Sequence, residues 1–484
     1  MNYIIKLHPE INVKSRDVRR RFTRLVESNA RLIFEQNQID IALRNFWDKL
    51  ELRLKSDHPE KIALAEQLLQ RIPGIEQFYR VIDFDFIDKE DIYTRVADNW
   101  GDKLAGKTFA VRVKRKGNHD FSSTDLARFI GGELFTRAAT GGVNLKNPDV
   151  TIQLEVENNK VALVNQRFKG LGGMPLPTQE DVLSLMSGGF DSGVASFQMI
   201  RRGAKTHFCF FNLGGKEHEI GVQEVSHYLW KTYSPSHRVK FIAVDFEPIV
   251  ADILQNVENS LMGVVLKRMM LRAAEIVADN LQINGLVTGE CLGQVSSQTL
   301  SNLHVIDQVT QKIVLRPLIC SDKSEIINIA REIGTEDFAA SMPEYCGVIS
   351  IKPNIKAPLE RVLEEEAKCD LSLIEKVVRE ADVKDIKKLG EQAEHQVAAV
   401  EVSDSLPEDA VVLDIRSPVE AEHKPLDLGN RDVRHIPFYQ LAGQSDSLQK
   451  EEQYYLYCDR GVMSRMQALI LIEKGFPNIK VFRP

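Results

Sequence analysis

Residues 182–192 read VLSLMSGGFDS, a short apolar run that passes directly into Ser187, Gly188, Gly189, Phe190, Asp191 and Ser192. The run predicts a buried strand over Val182–Met186, and the pattern from about Gly193 predicts a helix, so the glycines fall on a strand-to-helix turn. Glycines let an anion approach the backbone, and a helix N-terminus offers unpaired N–H groups and a favourable dipole to phosphate. Ser187 and Ser192 add hydroxyl donors. No GKS or GKT follows, so no lysine reaches phosphate from the loop itself, and the Walker arrangement is excluded. Further on, apolar runs at 207–211, 241–246 and 286–288 alternate with helical patterns. That alternation predicts a doubly wound parallel α/β sheet.

Working outward, residues 3–7 read as a strand and are followed by a helix whose apolar stripe is Val18, Phe22 and Leu25. Its other face carries Lys14, Arg16, Arg19, Arg20, Arg21 and Arg24, which suits a phosphate-binding surface and a solvated face equally. A second basic cluster, Arg112, Lys114, Arg115 and Lys116, lies in an alternating run that leads through Gly117 and Asn118 to a helix near Thr124. Two such patches favour RNA as a ligand. Residues 169–177, KGLGGMPLP, predict a linker or mobile loop and a domain boundary. Residues 363–399 read as helical and charge-rich, and 408–484 restart a strand and helix alternation, the mark of a small α/β domain.

A chain of 484 residues exceeds what one hydrophobic core serves, so three or four domains are expected. Its 43% apolar and 27% charged content is that of a packed globular protein. A formal net charge of -7 argues against wholesale coating of nucleic acid but allows local basic surfaces. Residues 1–10 lack a signal-peptide core and no uninterrupted run of eighteen apolar residues occurs, so no membrane and a cytoplasmic address are expected.

The six cysteines show no CxxC spacing and are too sparse for a disulfide framework, so any special one is expected to be catalytic. Cys458 follows the apolar run 454–457 and opens the loop CDRGVMS. Backbone N–H groups, a helix dipole and the nearby Arg460 and Arg465 would favour a thiolate or persulfide anion there. Cys346 sits in MPEYCGVIS, flanked by Pro343, Glu344 and Gly347, a loop setting in which a thiol can meet another domain. Cys209, Cys291, Cys320 and Cys369 have no comparable setting.

The loop SGGFDS resembles the PP-loop of the ATP pyrophosphatase superfamily, whose members cleave ATP between the α and β phosphates and transfer AMP to a carbonyl oxygen. The resemblance implies that backbone at Leu185 and Met186 reads adenine, that Ser187, Gly188, Gly189, Asp191 and Ser192 hold phosphate, and that Gly289 in the turn TGE, Gln298 in GQVSSQT, and Asp322 and Lys323 in RPLICSDKSEI complete the site. Lys267 interrupts the apolar run MGVVLKRMML, where a charge must find an anion or snorkel to water; a phosphate is favoured. CDRGVMS, together with Asp414 and Arg416 in VVLDIRSP, resembles a rhodanese domain, which makes Cys458 the sulfur carrier and Arg460, Gly461, Ser464 and Arg465 its persulfide loop. VNLKNPDV resembles the THUMP type of RNA-binding domain.

In order, these pieces resemble the tRNA uracil 4-sulfurtransferase family over essentially the whole chain. The resemblance implies a multidomain α/β and α+β fold: a ferredoxin-like domain at 1–60, THUMP at 61–168, the doubly wound PP-loop domain at 176–395 and rhodanese at 403–484. It departs from the family pattern in PLPT for PVGT, and in Phe190 and Gly193 for isoleucine and proline, which looks like a subgroup signature. It implies ATP with magnesium, tRNA bound by the basic N-terminal region, and adenylation of a uridine, at position 8, before thiolation. Asp191, Lys323, Cys458 and Cys346 would be catalytic, with Cys346 resolving the persulfide into a transient disulfide with Cys458. The implied protein partners are a cysteine desulfurase and the sulfur-carrier protein of the thiamine thiazole, and a homodimer is compatible with the family. Two alternatives stay open: a persulfide carrier serving mainly thiazole synthesis, and an RNA-binding protein without catalysis.

Overall fold

A computed structural model describes the chain except for residues 47–48, 214–215, 341–351, 390–400, 408–409, 417–420, 423–424, 438–440, 442–447, 459–463, 465–466, 469–470, 473 and 484, and the side chains of 216–217. The chain divides into two compact units, the first Met1–Gln179 with the short segments Ile200–Ala204 and Tyr233–Ser236, and the second the remainder.

The first unit is built on one eight-stranded sheet. Its strands are β1 (Asn2–Leu7), β2 (Ile41–Asn45), β3 (Leu50–Leu54), β4 (Ile75–Asp85), β5 (Thr108–Lys116), β6 (Gly142–Val143), β7 (Val150–Glu157) and β8 (Lys160–Lys169), in the order β2-β3-β1-β4-β8-β7-β5-β6. Pairing is antiparallel except at β5, which runs parallel to β6 and β7. Helices Arg16–Gln36 and Pro59–Arg71 contribute to one core, in which Phe22, Val26, Ile33 and Phe34 meet Tyr3, Ile5, Leu52 and Phe78. Helices Lys89–Trp100 and Ser123–Arg137 build a second, in which Ile92, Val96, Leu126 and Ile130 meet Phe109, Ile152 and Leu163. The expected stripe is present in part: Phe22 is buried, while Val18 and Leu25 are half-buried against the same core. The sheet crosses residue 60 unbroken, because β4 pairs with β1 on one side and β8 on the other.

The stretch 169–177 is no loose linker. Gly172, Gly173, Met174, Pro175 and Leu176 are buried, and the Gly170 and Gly172 N–H groups donate to the carbonyls of Glu76 and Ile75 at 2.8 and 2.7 Å. A Cβ at Gly170 would stand 2.2 Å from the Ile75 carbonyl oxygen, so glycine here permits a close approach of two backbones.

The second unit holds two further sheets. In the larger, β9 (Val182–Met186), β10 (Thr206–Asn212), β11 (Lys240–Asp245), β12 (Gly285–Val287) and β13 (Ile313–Leu315) run parallel, and β14 (Asp382–Asp385) closes one edge antiparallel to β11, in the order β13-β12-β9-β10-β11-β14. Strand β10 is buried at six of its seven residues, as expected of a parallel strand with both faces covered. Helix Met262–Asn280 supplies Val264, Val265, Met269 and Ala273 to the core against Leu183, Ile242 and Leu286. From β9 the chain moves to β10 and β11 on one side, then returns to β12 on the other, so the topological switch point lies between the carboxyl ends of β9 and β12.

The charge-rich run from 363 is not one helical stretch. Its described part comprises the end of helix Leu359–Glu366, helix Ser372–Arg379, the edge strand β14 and a helical turn at 386–389; residues 390–400 lie outside the described ones. The last sheet contains β15 (Val402–Ser403), β16 (Val411–Asp414), β17 (Asp432–His435), β18 (Tyr454–Tyr457) and β19 (Ile479–Phe482), all parallel, ordered β15-β19-β18-β16-β17. The small terminal α/β layer expected from 411–413 and 454–457 is thus present, with β16 and β18 fully buried.

Candidate active site

Strand β9 delivers the glycine loop to the switch point, where open α/β sheets bind ligands. Leu185 and Met186 form its carboxyl end, half-buried and buried respectively. Gly188 adopts φ +85°, a conformation open to glycine at little cost, and the following helix, Phe190–Arg201, begins three residues earlier than the sequence predicts. Asp191 and Ser192 therefore lie in its first turn. Ser192 Oγ ties the loop together: it accepts from the Ser187 N–H and the Ser187 hydroxyl, both at 3.2 Å, and donates to the Gly189 carbonyl at 3.3 Å. Beneath it, buried Ser184 and Ser196 share a hydrogen bond of 2.7 Å.

Asp191 is where separate segments converge. Its Oδ1 accepts from Lys323 Nζ at 2.8 Å and its Oδ2 from Gln294 Nε2 at 2.9 Å. Lys323 opens helix Lys323–Ile333, whose N-cap Asp322 has its N–H held by Glu325, so Asp322 caps a helix while Lys323 reaches the loop. The turn after β12 presses against the same helix start: a Cβ at Gly289 would stand 2.5 Å from Asp191 C and 2.6 Å from Ser192 N.

Lys267 does meet an anion, and in this structure that anion is Glu290, at 2.6 Å. Glu290 is buried and also accepts from Arg316 Nε at 2.8 Å and from the Thr288 hydroxyl at 3.1 Å; Arg316 reaches on to both oxygens of Asp307. Burial pushes the Glu290 carboxyl up, but Lys267 and Arg316 outweigh it and hold the group below the ordinary carboxylate value. The next residue along, Arg268, is deeper still, with its guanidinium on Glu366 at 2.6 Å and the Val305 carbonyl at 2.6 Å. Gln298 is buried, and its Oε1 accepts from the Cys291 N–H at 3.2 Å, which shapes the turn after β12. Burial, with Asp191 next in effect, pushes the Cys291 thiol up to about 11, in keeping with an inert cysteine.

One neighbour of the loop was illegible in the sequence. His218, in helix Lys216–Tyr233, is buried and donates from Nε2 to the Ser187 carbonyl at 2.8 Å, its ring edge-on to Phe210 at 4.8 Å. Gln294, Arg316 and Glu290 were also unassigned, although each lies in or beside a motif already singled out: GQVSSQT, RPLICSDKSEI and TGE. Among the described residues, no group of three or more His, Cys, Asp or Glu could hold a metal ion.

In the terminal sheet, Cys458 directly follows β18, and its sulfur accepts from the Ser464 N–H at 3.3 Å with the Ser464 hydroxyl also at 3.3 Å. Beside it, Asp414 and Arg416 form a buried bidentate pair at 2.8 and 2.6 Å, with the guanidinium 5.0 Å from the Tyr457 ring centre. Cys346, Arg460, Gly461 and Arg465 lie outside the described residues.

The four basic residues of β5 divide between the strand's two faces. Arg112, Lys114 and Lys116 are exposed on one, with Arg112 anchored on the Leu145 carbonyl at 2.5 Å and Lys116 on Glu157 at 3.0 Å. Arg115 points the other way, to the Gly117 carbonyl at 3.1 Å and His119 at 3.0 Å. On helix Arg16–Gln36, Arg20, Arg21 and Arg24 are exposed around a shallow surface depression with Asp17 and Ser28. Among the described residues, no helix is long and apolar enough to cross a membrane.

Comparison with known proteins joins these features. Residues 177–371 match the family model described as thiamine biosynthesis protein (ThiI), and residues 88–164 match the THUMP domain. A solved structure described as a 4-thiouridine synthetase–RNA complex with bound ATP shares the fold over 80% of this chain and 99% of its own, with a TM-score of 0.67 and 24% identity. The proteins named tRNA sulfurtransferase of Colwellia psychrerythraea and Aeromonas salmonicida are 53% and 54% identical to this one, over the full length of both chains in each case. The chain belongs to the tRNA sulfurtransferase family of enzymes.

Proposed function

We propose that this enzyme uses ATP to activate a uridine of tRNA and replaces its C4 oxygen with sulfur. The observation that carries the reading is the glycine loop at the switch point, with Asp191 drawing Lys323 and Gln294 onto its mouth. In this reading the uridine C4 oxygen attacks the α-phosphorus, the α–β bridge breaks and pyrophosphate stays among the loop N–H groups. Lys323 supplies positive charge toward the leaving group, and Asp191 positions Lys323. Lys267 exchanges Glu290 for phosphate. Magnesium would ride on the triphosphate, where it neutralises charge. A sulfur nucleophile then adds at C4 and AMP leaves with the former carbonyl oxygen.

The sulfur side follows from the cradle at Cys458. We read 403–484 as a rhodanese domain that receives sulfane sulfur from a cysteine desulfurase as a Cys458 persulfide, its anion stabilised by donors such as the Ser464 N–H. The terminal sulfur either attacks C4 directly or leaves as hydrosulfide. In both routes the Cys346 thiolate takes Cys458 Sγ, the persulfide S–S bond breaks, and the resulting disulfide needs a reductant before the next turnover. The β5 face with Arg112, Lys114 and Lys116 and the arginine helix are read as tRNA-contacting surfaces, with residues 1–60 read as a ferredoxin-like domain. Uridine 8 as the site, a cytosolic address and sulfur donation to the thiazole carrier protein complete the proposal, on the strength of the resemblance alone.

The deciding experiment is mass analysis of nucleosides from tRNA incubated with the protein, ATP, cysteine and desulfurase. The expected product is 4-thiouridine, absent without ATP; unchanged uridine under the full mixture would sink the reading. A carrier role alone predicts that residues 403–484 restore thiazole synthesis in a cell lacking this protein without restoring tRNA thiolation.

A further inference from the structure

The Ser187 peptide is pinned at both ends. Its N–H donates to Ser192 Oγ at 3.2 Å, and its carbonyl accepts from His218 Nε2 at 2.8 Å. His218 is only 7% exposed and stands edge-on to Phe210, which pairs with Met186 in the register of β10 and β9. The strand that delivers the loop and the residue that braces the histidine are therefore adjacent in one sheet.

A trans peptide directs its C=O and the following N–H to opposite sides. A Ser187 carbonyl held on His218 therefore turns the Gly188 N–H to the side of the peptide opposite the histidine. Among the described residues, the Gly188 and Gly189 N–H groups have no protein acceptor, as befits donors reserved for an anion. Gly188, at φ +85°, is free to let this peptide flip, so the loop needs an outside clamp to keep its donors aimed.

We propose that His218 is a positioning residue of the phosphate loop: its Nε2–H holds the Ser187 carbonyl and so aims the Gly188 N–H at the pyrophosphoryl group. The inference rests on the reading of 187–192 as a phosphate loop. Burial holds the imidazole below the usual histidine range against the opposing effect of its Ser187 bond, so the ring is neutral at pH 7 and acts through geometry. Losing this donor would leave the carbonyl unsatisfied until the peptide turns over, and the turned peptide presents oxygen to the anion.

The test compares His218→Gln with His218→Asn in the full chain by calorimetric titration with inorganic pyrophosphate and, separately, with adenosine. Glutamine places an N–H donor as many bonds from Cα as histidine Nε2, and asparagine falls one short. We expect the Gln variant to bind pyrophosphate within about threefold of wild type and the Asn variant roughly tenfold or more weakly, with adenosine affinity of both within about twofold. An Asn variant that binds pyrophosphate as wild type does, or loses adenosine and pyrophosphate in equal measure, would overturn the clamp. Wild-type protein that binds adenosine but not pyrophosphate would overturn the phosphate-loop reading, and the clamp with it.

Discussion

Gly289 and Glu290 are adjacent in sequence, yet their substitutions should fail differently. A methyl at Gly289 has nowhere to go, since the atoms it would meet are backbone of Asp191 and Ser192. Gly289→Ala should displace the first turn of helix Phe190–Arg201, costing about 1–3 kcal/mol by urea denaturation and weakening ATP binding roughly tenfold or more. Glu290→Ala strands Lys267 and Arg316 without their shared carboxylate, and about 3–5 kcal/mol of stability should go with it. Because the folded Glu290 carboxyl titrates below its ordinary 4.5, the unfolded chain takes up the proton first. Its contribution is therefore complete above that value and is lost as pH falls below it. Urea midpoints should decline more steeply from pH 5 to 4 in wild type than in Glu290→Gln; equal slopes would show that the ion pair does not govern acid stability.

The elements were legible where a local pattern had one cause. Strand β9 was bounded correctly because its apolar run ends at glycines, and β10, β11 and β12 came within a residue at each end. Residues 169–177 were misread because glycine and proline mark flexible turns and close backbone contacts alike, and only the partner, here Ile75 and Glu76, tells them apart. Strand β14 was missed because an edge strand such as DVKD is polar enough to pass for helix surface. His218 had no local signal, since its bond to Ser187 spans 31 positions and depends on strand register. Strand alternation also predicts which β5 residues serve the proposed RNA surface. Arg112→Ala and Lys114→Ala should each weaken tRNA binding and reduce the log–log salt slope by about 1, whereas Arg115→Ala, on the opposite face, should leave the slope unchanged. Filter binding between 50 and 200 mM salt would check this, and three equal slopes would refute the assignment of faces.

At the scale of the whole molecule the proposed chemistry divides between the loop after β9 and the cysteine after β18. Cys458→Ala should therefore release pyrophosphate from ATP in the presence of tRNA at close to the wild-type rate, while cysteine-derived sulfur incorporation falls at least about a hundredfold. Sulfide at high concentration should restore part of the product. A variant that thiolates normally with desulfurase and cysteine as the sole source would remove Cys458 from the reaction. The eight-stranded sheet has a different consequence. The arginine helix packs on the first strands, and β5 lies four strand spacings from β1, about 19 Å at the usual interstrand distance. With β4 and β8 zipped across the middle, that spacing cannot vary independently on either side. The sheet is then a stiff partition: the arginine helix stands on the face of Tyr3 and Ile5 and the Arg112 and Lys114 side chains on the opposite one, so the fold itself sets how far apart the two basic patches are held.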